Sequence, residues 1–553
     1  MNKLAIFFII LFLTWINTKG LWHAGFPYTH DGENHLARFA NYKIALREGQ
    51  FPPRFAPNLL NHYGYPVFNY NYPLANILSI PFSIMKINYE LTFKILVIFF
   101  VMFGLLGFNY WLRKLNYSLL PRVAGLLVFG FSTYLINLIN YRGNIGEVIS
   151  YCLFPWLLWM VEKLKDTKIT TFTYLSMIAL SFSFLLSHNV TVMFGIPLLL
   201  VYGLIVLQKD QQTWKKLSLL LGYSICLSLW FWLPAVAEKS FTILDSADLS
   251  VQFDDQFVTL DQLIFSPIQF GYSTPGSVDS LSFGLGMISW LVILVYAVFQ
   301  IGDYLRNRKF NQELAILILV LLLIVFQLKV TQPIWMILPL VRFIQFPWRL
   351  SLFIYPFLGL MAGKIFVQGN HKIKVFFYIL VVISVLSWLN LKPIDYFHRQ
   401  QVDYDLFSSS TSTANENLPK NFTFEYFQDG GWQPVPKIIS GQGEITVNSW
   451  KGSKRYYQLS LSSDAVIVEP TMYFLGWQTR VNSQLVKYID DQQIGGRIAY
   501  QLPKGKYLIE TKFTEKTLAR IIGDLISIFA IAFGVGYLAY QGKFNSILKK
   551  KKP

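Results

Sequence analysis

The sequence predicts a polytopic α-helical membrane protein of about 12 spans, with a mostly-β domain before the last span. Three observations predict it. Apolar runs of about 20 residues recur along the chain, each long enough to cross a hydrocarbon core of roughly 30 Å. The 553 residues are 53% hydrophobic and only 14% charged, whereas a soluble domain carries about 25% charge. Between about Lys392 and Lys516 the apolar runs give way to stretches such as GEITVNSW and KRYYQLSLS, which alternate polar and apolar residues as half-buried strands do.

Charge and cysteine content narrow the class further. Lys and Arg number 48 against 31 Asp and Glu, a net charge of +17. These cations sit in short clusters between apolar runs, the distribution of positive-inside loops, and not in the single patch that nucleic acid requires. The two cysteines, Cys152 and Cys226, both fall inside apolar segments, so neither a disulfide framework nor a zinc site is offered.

Taken in order, the chain opens with a span over residues 4–20, which lacks a small-residue cleavage site and reads as retained. With its N-terminus inside, the next stretch is a first outer loop, residues 21–90. There Asp31, His35 and Arg38 recur at i, i+4 and i+7, which predicts a helix over 32–47 ending at Gly49. Leu36, Phe39, Ala40 and Ile44 form its other face, so the expectation is an amphipathic helix lying on the membrane. Residues 73–86 are apolar but short and hold two prolines, and are expected not to cross. Spans follow near 91–112, 121–139, 148–162, 170–187, 190–207, 217–236, 284–302, 312–328, 349–367, 375–391 and 519–540. The loop 237–283 carries Lys239 against Glu238, Asp245, Asp248, Asp254, Asp255, Asp261 and Asp279, a balance that belongs outside. The expected division is a transmembrane domain over 1–391, an extracytoplasmic β-rich domain over 392–516, and a last span with a basic cytoplasmic tail over 517–553.

That topology gathers ionisable residues on one side. Asp31, Glu33, His35 and Arg38 come from the first outer loop, Arg142 and Glu147 from the second, His188 from the third, and Arg342 and Arg349 from a re-entry point. Ionisable groups at membrane depth are costly unless paired or functional. A carboxylate such as Asp31 can take a proton from a hydroxyl nucleophile. Arginines can hold a phosphate as it leaves. The aromatics Tyr63, Tyr65, Phe68, Tyr70 and Tyr72 offer faces to a sugar ring or an isoprenoid tail. Each has a plainer reading: Asp31 as a helix N-cap, Arg349 as a snorkelling anchor, the aromatics as an interfacial belt. Asp31 with His35 lacks a third ligand at fixed spacing, so no metal is indicated.

The segment HDGENHLARFANYKIALREGQFPPRFAPNLLNHYGYPVFNYNYPL, with FIQFPWRL and the later EPTMYFLGWQTRVNS and RIAYQLPKGKYLIETKF, resembles the bacterial membrane proteins called 6-pyruvoyl-tetrahydropterin synthase-related. These are close to YfhO-like proteins and to the GT-C superfamily of glycosyltransferases. The resemblance implies a GT-C-like fold in the cell membrane and an inverting transferase that uses polyprenyl-phosphate sugars. It places an essential acid of the first outer loop at Asp31 and a second acid at Glu147. Glu33, His35, Arg38, Arg142, His188, Arg342 and Arg349 are then the expected substrate-binding residues, with a lipid-linked donor, a glycan, lipid or protein acceptor, and no cofactor. Pterin chemistry is not implied, since a pterin synthase needs a three-histidine zinc site. One departure is that Gly32 separates Asp31 from Glu33, where many of the superfamily have adjacent acids. A lipid-linked glycan flippase and an inactive envelope-assembly protein are the alternative functions.

Overall fold

A computed structural model describes residues 2–245, 253–274, 279–338, 343–412, 414–423, 432–489 and 494–550, without the side chains of residues 2 and 541–550. Arg342, Asp248 and the tail beyond Lys550 lie outside the described residues. The chain divides into two compact units. The first is Met1–Leu36, Ile77–Leu221 and Ser250–Gln400; the second is Ala37–Asn76, Gly222–Leu249 and Gln401–Pro553.

Helices dominate: α1 (Asn2–Thr18), α2 (Gly32–Arg47), α3 (Leu74–Ile84), α4 (Tyr89–Lys114), α5 (Leu119–Gly130), α6 (Ile145–Leu164), α7 (Thr171–Leu185), α8 (Asn189–Leu207), α9 (Gln211–Ala237), α10 (Met287–Asn307), α11 (Gln312–Val325), α12 (Ser351–Gln368), α13 (His371–Asn390) and α14 (Leu518–Lys550). Among the described residues, ten helical segments are long and apolar enough to cross a membrane. Two of the expected twelve, near 170–187 and 312–328, are the shorter helices α7 and α11, of 15 and 14 residues. At about 1.5 Å per residue these reach little more than 20 Å. The Pro-containing α3 has 11 residues, again short of a bilayer.

Within the first unit α6 and α12 are the inner helices: 89% of each span is buried, a packing that needs close helix contact. Where α5 crosses α12, a Cβ on Gly125 would meet the Gly359 carbonyl oxygen at 2.7 Å, and one on Gly359 would meet that of Gly125 at 2.8 Å. Small residues at such a crossing let two backbones touch, which supplies the dispersion energy that lipid cannot.

In the second unit the strands form two antiparallel sheets. Strands β3 (Lys437–Ser440), β6 (Ala465–Met472) and β9 (Arg497–Leu502) run in the order β3-β6-β9. Strands β4 (Gly443–Trp450), β5 (Lys454–Leu461), β7 (Trp477–Val481), β8 (Gln484–Leu485) and β10 (Gly505–Phe513) run β4-β5-β10-β7-β8. Alternation explains the core: Tyr457, Leu459 and Leu461 of β5 point inward with Ile509 of β10, against Ile467 and Tyr500 from the other sheet. Residues 26–27 (β1) and 396–397 (β2) pair separately in the first unit.

The expected helix over 32–47 forms as α2, but it is not a surface helix. His35, Leu36, Ala37, Arg38, Phe39, Ala40, Asn41 and Tyr42 are all buried, so apolar and polar faces alike are covered. The 3.6-residue pattern gave the helix; chain far away in sequence decided its surroundings.

Candidate functional site

The site is built on the start of α6. Asn144, in extended backbone just ahead of the helix, accepts the Glu147 amide on its Oδ1 at 3.0 Å, an N-cap bond worth about 1 kcal/mol. Gly143 turns the chain into position at φ +64°, and a Cβ there would lie 2.2 Å from Thr29 Oγ1, so this turn tolerates only glycine. The other end of the Asn144 amide, Nδ2, donates to Asp31 Oδ2 at 3.1 Å. Two backbone bonds complete the junction: the His30 amide to the Tyr141 carbonyl at 3.0 Å and the Asp31 amide to the Arg142 carbonyl at 2.8 Å.

Glu147, in the first turn of α6, is fully buried. Its Oε2 accepts the Tyr134 hydroxyl at 2.6 Å and Arg142 Nη1 at 2.8 Å, and its Oε1 accepts Arg349 Nε at 3.0 Å. His188 Nε2 stands 3.8 Å from the same Oε1, while its Nδ1 faces Thr191, the residue it caps at the start of α8. Burying a lone carboxylate costs several kcal/mol, and the two guanidiniums offset that cost. Glu147 alone leaves one guanidinium charge over, and the nearby Asp31 carboxylate also acts on Arg142, so the assembled site carries two carboxylates and two guanidiniums. Arg142 lies over the Trp348 ring at 4.8 Å and Arg349 over Phe346 at 4.7 Å, which fixes both planes. Among the described residues, Arg142 Nε and Nη2 and Arg349 Nη2 make no hydrogen bond, so donors remain for an anion.

Asp31 differs from Glu147 in being partly exposed. Its carbonyl accepts the His35 amide and so begins α2. The cap on Gly32 N–H comes from Thr29 Oγ1 at 3.2 Å instead of from the Asp31 side chain. The carboxylate is therefore not engaged as a cap, and its Oδ1 makes no hydrogen bond among the described residues. Next to it, His30 stacks on Tyr272 at 4.8 Å and meets Phe270 edge-on at 5.0 Å. Burial holds the His30 pKa below its ordinary value; the Asp31 charge opposes this and Arg142 adds to it.

Of the expected site residues, the structure thus brings together Asp31, Arg142, Glu147, His188 and Arg349. Glu33 is paired elsewhere, with Arg399 Nη2 at 2.6 Å. His35 is buried, its ring 6.4 Å from that of Phe93. Arg38 belongs to the second unit, where its Nε donates to Thr411 Oγ1 at 3.2 Å and its Nη2 to the Thr411 carbonyl. Arg342 lies outside the described residues. Asn144, Tyr134, His30 and Trp348 were not singled out in the sequence. Asn144 carried a signal, since Asn three residues before Glu ahead of an apolar run is a helix-start pattern; His30 and Trp348 lie inside the family-like segments HDGENHLARF and FIQFPWRL, and Tyr134 carried no signal. Among the described residues no three His, Cys, Asp or Glu side chains gather as metal ligands.

Comparison with known proteins adds the following. The family described as "6-pyruvoyl-tetrahydropterin synthase related domain; membrane protein" matches residues 68–394. An uncharacterized protein of Lactococcus lactis subsp. cremoris (strain MG1363) is 25% identical over 335 residues, 57% of this chain. The match covers 53% of that protein, so the chain spans about half the length of this curated relative. Among solved structures, the arabinofuranosyltransferase AftD from Mycobacteria is similar at TM-score 0.43 and 13% identity, over 70% of this chain and 26% of that one. The Archaeoglobus fulgidus oligosaccharyltransferase in complex with Zn and sulfate is similar at TM-score 0.43 and 12% identity, over 74% and 58%.

Proposed function

The chain belongs to the 6-pyruvoyl-tetrahydropterin synthase-related membrane proteins, and we propose that it acts as a membrane glycosyltransferase on the extracytoplasmic face. The observation that carries this reading is the pairing of a partly exposed, uncapped carboxylate, Asp31, with a cluster that retains unengaged guanidinium N–H groups. A polyprenyl-phosphate sugar is the donor, its phosphate held by Arg142 and Arg349. The Asp31 carboxylate takes the proton of an acceptor hydroxyl as that oxygen attacks the anomeric carbon. The new carbon–oxygen bond forms as the bond to the phosphate breaks on the opposite face. The polyprenyl phosphate departs as an anion stabilised by the guanidiniums, and the product is inverted. Glu147 has both oxygens committed to Tyr134, Arg142 and Arg349. Its part is therefore to orient the two arginines, and not to act as a second base. The acid-rich loop 237–283 and the Lys- and Arg-rich short loops, read by the positive-inside bias, support this side of action.

The test incubates purified protein with polyprenyl-phosphate sugars and soluble acceptors. Wild type should transfer sugar, and Asp31→Asn should lose about 10²–10⁴-fold in rate while unfolding at an unchanged temperature. Equal turnover by both, or movement of labelled lipid across proteoliposomes without any transfer, overturns the reading.

A further inference from the structure

Beside Asp31, within the first unit, stands a wall of aromatic rings that the transfer chemistry does not use. Tyr272 stacks on His30, the residue before Asp31, at 4.8 Å with 18° between the planes. Phe270 meets His30 at 5.0 Å and Tyr272 at 5.5 Å, edge-on to both. A ring almost equidistant from the two members of a stack and steep to each lies alongside the stack. Phe270 therefore leaves the outer face of Tyr272 uncovered. Tyr28 extends the wall, 5.9 Å from Phe270 and sharing a hydrogen bond with Tyr272. Tyr28 and Tyr272 remain 48% and 54% exposed.

Both sides of the wall are anchored. The His30 amide is bonded to the carbonyl of Tyr141, whose ring packs against Phe270 at 6.3 Å. Across from it the Tyr272 amide donates to Ser280 Oγ at 2.9 Å, and the Tyr272 carbonyl accepts the Ser280 and Leu281 amides at 3.3 Å each. The open rings are thus held next to the carboxylate before a ligand arrives, which lowers the ordering cost of binding.

The chemistry of the wall selects its occupant. An aromatic face carries negative charge density and attracts the C–H face of a sugar ring. The rim of that sugar projects hydroxyls, and one of them is the nucleophile that Asp31 needs. An isoprenoid chain has no hydroxyl to offer and would strand the tyrosine hydroxyls. Charge selects further. Residues 253–283 contain no Lys or Arg against Asp254, Asp255, Asp261 and Asp279. Asp279 lies close to the wall, its Oδ1 accepting the Thr274 amide at 2.6 Å. A polyanion is repelled from such a surface.

We propose that Tyr28 and Tyr272 form the acceptor subsite and that the acceptor is a neutral glycan, not a lipid, a protein or an anionic polymer. Its role as acceptor rests on the transfer reading; its binding needs no chemistry at Asp31.

The experiment uses the full chain in detergent micelles with two readouts. One is calorimetric binding with no donor present, and the other is transfer from polyprenyl-phosphate sugars. The probes are a neutral N-acetylglucosamine tetrasaccharide, a glucuronate-containing tetrasaccharide, a glycerol-phosphate tetramer and a serine-containing tetrapeptide. The neutral tetrasaccharide should bind about tenfold more tightly than the other three. Tyr272→Ala should weaken it about tenfold and raise its KM by the same factor, whereas Tyr272→Phe, which keeps the ring face, should stay within about threefold of wild type. Both variants should unfold at the wild-type temperature, since the ring is exposed. No binding of the neutral tetrasaccharide, an anionic probe or the peptide binding as tightly, or unchanged binding by Tyr272→Ala overturns the proposal. Binding that depends on Tyr272, with no transfer by wild type, upholds the subsite and removes the transfer reading instead.

Discussion

Two buried glutamates, each facing arginine, behave differently in this molecule. In the second unit Glu238 accepts Asn69 Nδ2 at 3.0 Å, Arg520 Nε at 3.2 Å, Arg520 Nη2 at 2.9 Å and the Thr517 hydroxyl at 2.5 Å. Arg520 also donates to the carbonyls of Thr514 and Leu475, so one cation meets one anion and four hydrogen bonds occupy the guanidinium. That cluster is closed. In the first unit Glu147 faces two guanidiniums, and donors on both remain unengaged among the described residues. A closed ion pair ties elements together; an open one leaves N–H donors that an anion can meet. Counting charges and donors, more than burial, separates the strut from the candidate site.

The comparison is broken or sharpened most strongly by removing each carboxylate charge. Glu147→Gln and Glu238→Gln should each destabilise by about 3–5 kcal/mol, because a buried guanidinium loses its partner. Only Glu147→Gln should also abolish sugar transfer by the protein that remains folded at low temperature. Equal loss of transfer in both variants would erase the distinction. A smaller effect is expected from Arg349→Lys, which keeps the charge but not the planar fork. It should lower kcat/KM for the lipid-linked donor about tenfold, through kcat as well as KM, because the guanidinium stabilises the leaving phosphate, measured by initial rates against donor concentration. Asn144→Ala removes the α6 cap and the bond to Asp31 together. It should cost about 1 kcal/mol in thermal unfolding and lower kcat as well, an effect that a mere cap would not have.

The smallest effect concerns pH. His30 has its pKa lowered by burial, so the folded chain holds the proton less tightly than the unfolded chain. Its contribution to stability is present above the unfolded value near 6.5 and is lost as pH falls through the window below it. The unfolding midpoint should therefore drop from about pH 7 to about pH 5 more steeply in wild type than in His30→Gln.

How much was legible follows from the range of each signal. Helix α2 was readable from its spacing, but its burial was not, because the groups that cover it are remote in sequence. Strand stretches GEITVNSW and KRYYQLSL were readable because alternation is local, and they form β4 and β5. At the candidate site Asp31, Arg142, Glu147, His188 and Arg349 were singled out individually. That Glu147 binds an arginine 202 residues away was not visible, nor that Asn144 links the first and second loops.

From the sequence alone came the membrane-crossing character and the strands before the last span, because hydrophobicity and its period act between near neighbours. Which acid is tied down and which is left open was settled by tertiary structure, since that depends on the donors that distant segments bring to each oxygen.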